Sequence, residues 1–158
     1  MFKFYDIDTN YIKFLKQIDK QVPDIKYTTT NKFVCGVVLN IDGIQYYAPI
    51  SHKIEKQQTS LQIFDNDRVI STIRFSFMIP AFAEVLTVKD FKTTAMQDSR
   101  YADLLYTEYT YCRTHLNDIQ RKALSVYRIG CNKQHRLNYT CCNFKKLEQY
   151  YLDYKIQL

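Results

Sequence analysis

An Asp-Gly pair between two β-prone runs constrains the middle of this chain. Residues 31–53 read NKFVCGVVLNIDGIQYYAPISHK, with Asp42-Gly43 at the join. A two-residue type I′ turn needs positive φ at both central positions, and Asp-Gly supplies it. Ile41 then faces Ile44. Counting outward puts Val34 opposite Ser51, Phe33 opposite His52 and Lys32 opposite Lys53. Side chains alternate with period two, so Lys32, Ser51 and Lys53 share one face at the open end. Directly opposed lysines repel. Their meeting makes sense with an anion between them. The same alternation turns His52 to the other face. A bulge at Pro49, which has no N–H for the ladder, would re-aim it.

Around this hairpin the chain reads as regular elements, with three Gly and three Pro. Residues 1–8 suit a short strand. Asp8 or Thr9 caps a helix over about residues 9–21, in which Tyr11, Phe14, Leu15 and Ile18 recur at helical spacing. The segment 24–31 reads as a loop. Residues 61–65 and 69–79 read as strands joined by Asp65-Asn66-Asp67, with Pro80 as the stop. Residues 83–91 fit either a strand or a short helix. Helical stripes follow: Tyr101, Leu104, Leu105, Tyr109 and Cys112, then Leu116, Ile119, Ala123, Val126 and Tyr127, with Gly130 as a stop. Leu147, Tyr150, Tyr151 and Tyr154 make a last helix. Strands mostly precede helices, so the expected fold is α+β with an antiparallel sheet, one domain over residues 1–158.

The net charge of +6 is unevenly spread. Arg113, Arg121, Lys122, Arg128, Lys133, Arg136, Lys145 and Lys146 meet one acid, Asp118, between residues 113 and 146. A clustered basic stretch is the footprint of a polyanion, nucleic acid before membrane, with a solvated basic face as the alternative. Fourteen tyrosines add surface that can stack on bases or line a core. The five cysteines are odd in number, and two are adjacent. With no signal peptide, they fit free thiols in a reducing cytosol. No apolar run reaches membrane-spanning length.

No Gly-rich phosphate loop, HExxH or nucleophile elbow is present. Cys131, His135, Cys141 and Cys142 match no common zinc spacing, and no acidic cluster suits magnesium. No metal or cofactor is therefore expected. Metal-free RNA cleavage needs an aligned 2′-hydroxyl, cations or donors at the phosphorane, and proton transfer. Lys32, Ser51, His52 and Lys53 supply such groups. Tyr106 lies off its helix's apolar stripe and can stack on a base. Tyr11 heads a stripe, which makes core its default.

KFYDIDTNYIKFLKQIDKQVP, NKFVCGVVLNIDGIQYYAPIS, RFSFMIP, YADLLYTEY and CNFKKLEQYYLDY occur in an order that resembles the ToxN/AbiQ family of type III toxin–antitoxin toxins, the CptN branch in particular. The resemblance covers nearly the whole chain. It implies an endoribonuclease with a strongly twisted antiparallel sheet flanked by helices, similar to the Kid/MazF toxin fold. It implies metal-independent cleavage of mRNA and of a repeat RNA precursor, leaving 2′,3′-cyclic phosphates. The implied partner is an RNA antitoxin, whose pseudoknot units inhibit the toxin in a closed toxin–RNA assembly active in phage defence. The family's helix-one tyrosine falls on Tyr11, its catalytic lysine on Lys32, its Thr-Ser pair on Ser51 and His52, and its mid-helix tyrosine on Tyr106. A histidine at position 52 departs from that motif. Tyr27 stands near a family tyrosine, in a loop whose length differs by one. The resemblance gives the basic residues of 113–146 the role of holding antitoxin RNA. A non-catalytic RNA-binding module and a protein-interaction domain are the rival readings.

Overall fold

The computed structural model describes residues 2–24 and 33–158. Tyr27, Asn31 and Lys32 lie outside them, as do nearly all of the expected loop over 24–31 and the proposed pairing of Lys32 with Lys53. Strands β1 (Tyr5–Ile7), β2 (Val34–Ile41), β3 (Ile44–Ser51), β4 (Ser60–Asp65), β5 (Arg68–Arg74), β6 (Ile79–Pro80) and β7 (Leu86–Val88) form one sheet. Its order is β4-β5-β3-β2-β1-β7, β6 also pairs with β3, and every pairing is antiparallel. Helix α1 (Thr9–Ile18) interrupts the strands. Helices α2 (Phe91–Gln97), α3 (Ser99–Thr114), α4 (Leu116–Cys131), α5 (Phe144–Tyr150) and α6 (Asp153–Ile156) follow them. The α+β expectation holds.

The hairpin turns where the sequence says it must. Asp42 and Gly43 take φ of 51° and 84°, and Gly43 N–H donates to Asn40 Oδ1. The register Ile41↔Ile44, Asn40↔Gln45, Leu39↔Tyr46 is the expected one. It then slips twice, to Val37↔Tyr47 and Val34↔Pro49. Both slips place an extra residue on β2. Val34 therefore faces Pro49 rather than Ser51, and Phe33 O accepts from Ile50 N–H rather than facing His52. The bulges sit in β2, not at Pro49. The cause is non-local: the chain ahead of β1 crosses Gly36, where a Cβ would stand 2.8 Å from Lys3 O and 2.9 Å from the Phe2 ring. The strand bends there, and only glycine fits.

The other edge of β3 holds the second departure. The expected single strand over 69–79 is two strands on one edge. Ile50 pairs with Ile73 and Tyr47 with Ile79, so three residues of β3 span six of its neighbour. The surplus, Phe75–Phe77, folds out as one 3₁₀ turn. Phe77 thereby leaves the ladder beside the end of β3, next to Arg74, the last residue of β5, which pairs with Ser60 of β4. Residues 83–91 resolve into a 3₁₀ turn, β7 and Asp90, whose carboxylate caps α2.

Asp8 caps α1 by accepting from Asn10 N–H at 2.9 Å, and Tyr11, Ile12 and Leu15 face the core. The far end of α1 is tied down by Asp19, which accepts from Asn143 N–H at 2.5 Å, and by Gln21, which donates to Tyr139 O. Helix α4 runs through Gly130 instead of stopping there. A Cβ on Gly130 would lie 2.3 Å from the Phe144 ring, so this glycine admits α5. Tyr46 of β3 and Tyr127 of α4 both donate to Glu148 Oε2, at 2.5 and 2.6 Å. These bonds clamp α5 over the start of β3.

Candidate active site

A cleft of about 380 Å³ opens between the end of α1 and the open end of β3. Lys16, Lys20, Gln21, Asp24, Pro49, Ser51, Lys53, Arg74 and Phe77 line it. Four side chains are cationic and one is acidic. Lys16 is paired with Asp24 at 2.8 Å. Arg74 stacks over Phe77 at 5.2 Å, and its buried Nε has no hydrogen-bond partner among the described residues. An unpaired buried guanidinium N–H has a large desolvation cost, so it marks a place where an acceptor belongs. Ser51 is buried, and its Oγ accepts from Lys53 N–H at 3.2 Å. Thr72 Oγ1 donates to Lys53 O and holds the strand end in line. A tetrahedral anion fits this chemistry: cations around it and a hydroxyl free to donate.

Strand pairing stops at Ser51, and His52 lies on a bend. Ser51 and Lys53 enter the cleft together, as alternation requires, while His52 turns toward α3. With no bulge at Pro49, nothing re-aims it. Its Nε2 stands 3.8 Å from Glu108 Oε2, with 48% of its side chain exposed against none of Glu108. Burial pushes the Glu108 carboxyl up to about 7, although Ser71 beside it acts in the other direction, and burial pushes the His52 imidazole down.

Neither tyrosine expected at the site lines the cleft. Tyr11 is wholly buried; its hydroxyl donates to Pro80 O at 2.5 Å and its ring meets Phe82 and Tyr154 edge-on. Desolvation holds its phenol far above the ordinary range. A ring so placed cannot stack on a base; it fixes α1 to β6. Tyr106 is 61% exposed on α3 beside Phe91 and is not among the residues lining the cleft.

The basic residues spread over α3, α4, α5 and the 132–143 connection. Arg113 lies over Tyr109, Arg121 pairs with Asp118, and Lys145 pairs with Glu148. Arg128, Lys133 and Lys146 are exposed. Lys122 lines a second groove, of about 480 Å³, with Lys56, Gln57, Gln58, Phe64 and Tyr111. Arg136 reaches Gln58 at 2.8 Å and joins the basic segment to that groove. Sequence reasoning missed Arg74, Phe77, Lys16, Lys20 and Glu108. Glu108 left a signal: it lies three residues after Leu105 and four before Cys112, on the apolar stripe of α3.

The sequence profile of the family "Toxin ToxN, type III toxin-antitoxin system" matches residues 3–152. The chain is 29% identical over 163 residues to an endoribonuclease ToxN of Bacillus thuringiensis subsp. kurstaki, covering 97% of this chain and 84% of that protein. It is 28% identical to an endoribonuclease ToxN of Pectobacterium atrosepticum, covering 96% and 93%. One solved structure, from work on selective toxin inhibition by a non-coding RNA pseudoknot in type III systems, superposes with a TM-score of 0.89 at 29% identity over 98% of each chain. These likenesses reach the family without selecting its CptN branch.

Proposed function

The chain belongs to the ToxN family of type III toxin–antitoxin toxins, an endoribonuclease family, and we propose that it cuts RNA without a metal in the cleft at the open end of β3. The observation behind this reading is the grouping of Lys53, Arg74, Lys16 and Lys20 around Ser51. That donor set suits a phosphodiester and repels a divalent cation. Lys32, Lys53 and Arg74 stabilise the phosphorane charge, and Ser51 donates to a non-bridging oxygen. Proton transfer falls to Lys53 in the cleft or to His52 on its α3 side: a proton leaves the 2′-hydroxyl as the 2′-oxygen bonds to phosphorus, and one returns to the 5′-oxygen as that bond breaks. The products are a 2′,3′-cyclic phosphate and a 5′-hydroxyl. Tyr11 supports the site through α1, and Tyr106 with Tyr27 contacts flanking RNA.

The substrates are mRNA and the toxin's own repeat RNA precursor, whose pseudoknot units inhibit the toxin in a closed assembly. The Pectobacterium and Bacillus relatives are endoribonucleases, and a relative of known structure is inhibited by an RNA pseudoknot, which supports the reading. Cleavage of mRNA and of the repeat RNA precursor in EDTA tests it. Wild type is expected to cut fully and leave cyclic phosphate ends, with Lys32→Ala and Ser51→Ala strongly impaired. Activity lost in EDTA, or full activity in both variants, overturns it.

A further inference from the structure

A carboxylate buried without hydrogen bonds is rare, because it gives up its water with nothing in return. Glu108 is such a group. It is fully buried on the core face of α3, and neither oxygen has a hydrogen bond of good geometry among the described residues. The donor beside it is Ser71 Oγ on β5, which is buried, has no other partner among the described residues and favours the ionised carboxyl. Glu148 shows how this fold treats a structural carboxylate: two tyrosine hydroxyls and a lysine hold it. Glu108 has none of these. The cationic group within ion-pair reach of it, among the described residues, is His52.

We propose that Glu108 is a positioning residue for His52: its carboxylate faces the Nε2 edge of the imidazole across a 3.8 Å gap and holds the ring with its proton on Nε2. This rests on the proton-transfer role given to His52 above. The groups facing the pair are Ser71 from β5, Cys112 from α3 and, beyond Cys112, Cys35 from β2. The thiols are held protonated by burial, so the pair titrates among neutral neighbours. Burial raises the acid and lowers the base, which brings their proton affinities closer. With Glu108 ionised and Nε2–H directed at it, Nδ1 keeps its lone pair for the 2′-hydroxyl; the proton it takes makes the ring an imidazolium, whose charge the carboxylate meets. A closing substrate shortens 3.8 Å to a hydrogen bond, as catalytic contacts commonly tighten on binding. The arrangement also gives a physical reason for a histidine at position 52. The imidazole bridges the strand end, where a serine hydroxyl falls short of the helix.

The test is titration of the His52 imidazole by NMR from pH 5 to 9 in wild type and Glu108→Gln, with cleavage kinetics on the same samples. Removing the carboxylate is expected to lower the His52 midpoint by about one pH unit. It is expected to lower kcat by roughly tenfold or more with KM little changed, and to move the acid limb of the kcat profile. An unchanged His52 midpoint overturns the pairing. If Glu108→Gln does not fold, the wild-type carboxyl and imidazole resonances still decide it: a shared inflection supports the pair, and independent curves overturn it. His52→Ala separates the two readings. Full cleavage by His52→Ala refutes the proton role of His52 while the titration still reports the contact.

Discussion

The two ends of β3 are built from similar parts and treated oppositely. At the start, Tyr46 is buried and meets a carboxylate, Glu148, that is also bonded to Tyr127 and paired with Lys145. At the finish, His52 meets a carboxylate, Glu108, that is fully buried with Ser71 as the donor beside it, next to a cleft whose arginine has a buried Nε without a hydrogen bond among the described residues. The first end satisfies every polar group and gains rigidity. The second leaves donors, acceptors and charges open, which costs stability and is what an incoming phosphodiester can repair. The difference separates the end that holds the fold from the end proposed to do the chemistry.

The largest effect that can break this contrast is on cleavage. Ser51→Ala, Lys53→Ala and Arg74→Ala should each lower kcat/KM roughly 10²- to 10³-fold, the range seen when one transition-state donor is removed. Tyr46→Phe, at the other end, should leave cleavage near wild type once folding is corrected for. If Tyr46→Phe matches the cleft variants in activity, the division between the two ends fails.

The next effect is on stability and its pH dependence. The folded Glu108 carboxyl, at about 7, lies above the ordinary 4.5. A group raised in this way stabilises the fold fully below the unfolded value, and that contribution is lost as pH rises through the folded one. Wild type should therefore lose up to about 3 kcal/mol between pH 4.5 and just above 7 from this residue. Glu108→Gln should not, and should become the more stable protein at pH 8. His52, whose imidazole burial lowers, contributes a smaller slope of opposite sign at acid pH. Urea midpoints at pH 5 and 8 check this. Parallel curves for the two proteins would mean that the carboxyl at the cleft end is as well satisfied as Glu148.

Tyr46→Phe sharpens the contrast from the other side. Losing one of two hydroxyls on a nearly buried carboxylate should cost about 2 kcal/mol, since bonds to charged groups lie at the upper end of the hydrogen-bond range. Tyr127→Phe should cost about 1 kcal/mol, with both read from urea midpoints at pH 7.

What the sequence shows of this contrast depends on the range of the rule involved. The Asp42-Gly43 turn and the shared face of Ser51 and Lys53 follow from local geometry, and both are present. The register slips are not legible, because the chain crossing Gly36 from before β1 imposes them. Phe77 reads as a strand residue; a three-residue surplus, set by the distance between Tyr47 and Ile50 on β3, folds it out beside Arg74, which ends β5, and both line the cleft. Lys16 and Lys20 join through the tether between Asp19 and Asn143, more than a hundred residues apart. Glu108 was legible as a carboxylate on an apolar stripe, and periodicity marks its burial but not its partner.

The smallest effect concerns charge that holds RNA without cutting it. Arg128, Lys133 and Arg136 lie on α4 and the connection after it and are not among the residues lining the cleft. If they contact phosphates, removing all three should reduce the slope of log binding against log salt by about 2, three contacts at roughly 0.7 each for single-stranded RNA. Binding of the antitoxin RNA should weaken most at low salt, and kcat at saturating substrate should stay at the wild-type value. Arg136 carries a second role through Gln58, so Arg136→Ala alone should also loosen the groove floored by Phe64 and Tyr111. Arg128→Ala and Lys133→Ala should act on the salt slope only. A triple variant with an unchanged slope would remove the basic segment from the RNA path and leave the cleft cations, Lys53 and Arg74 foremost, to account for binding and cleavage together.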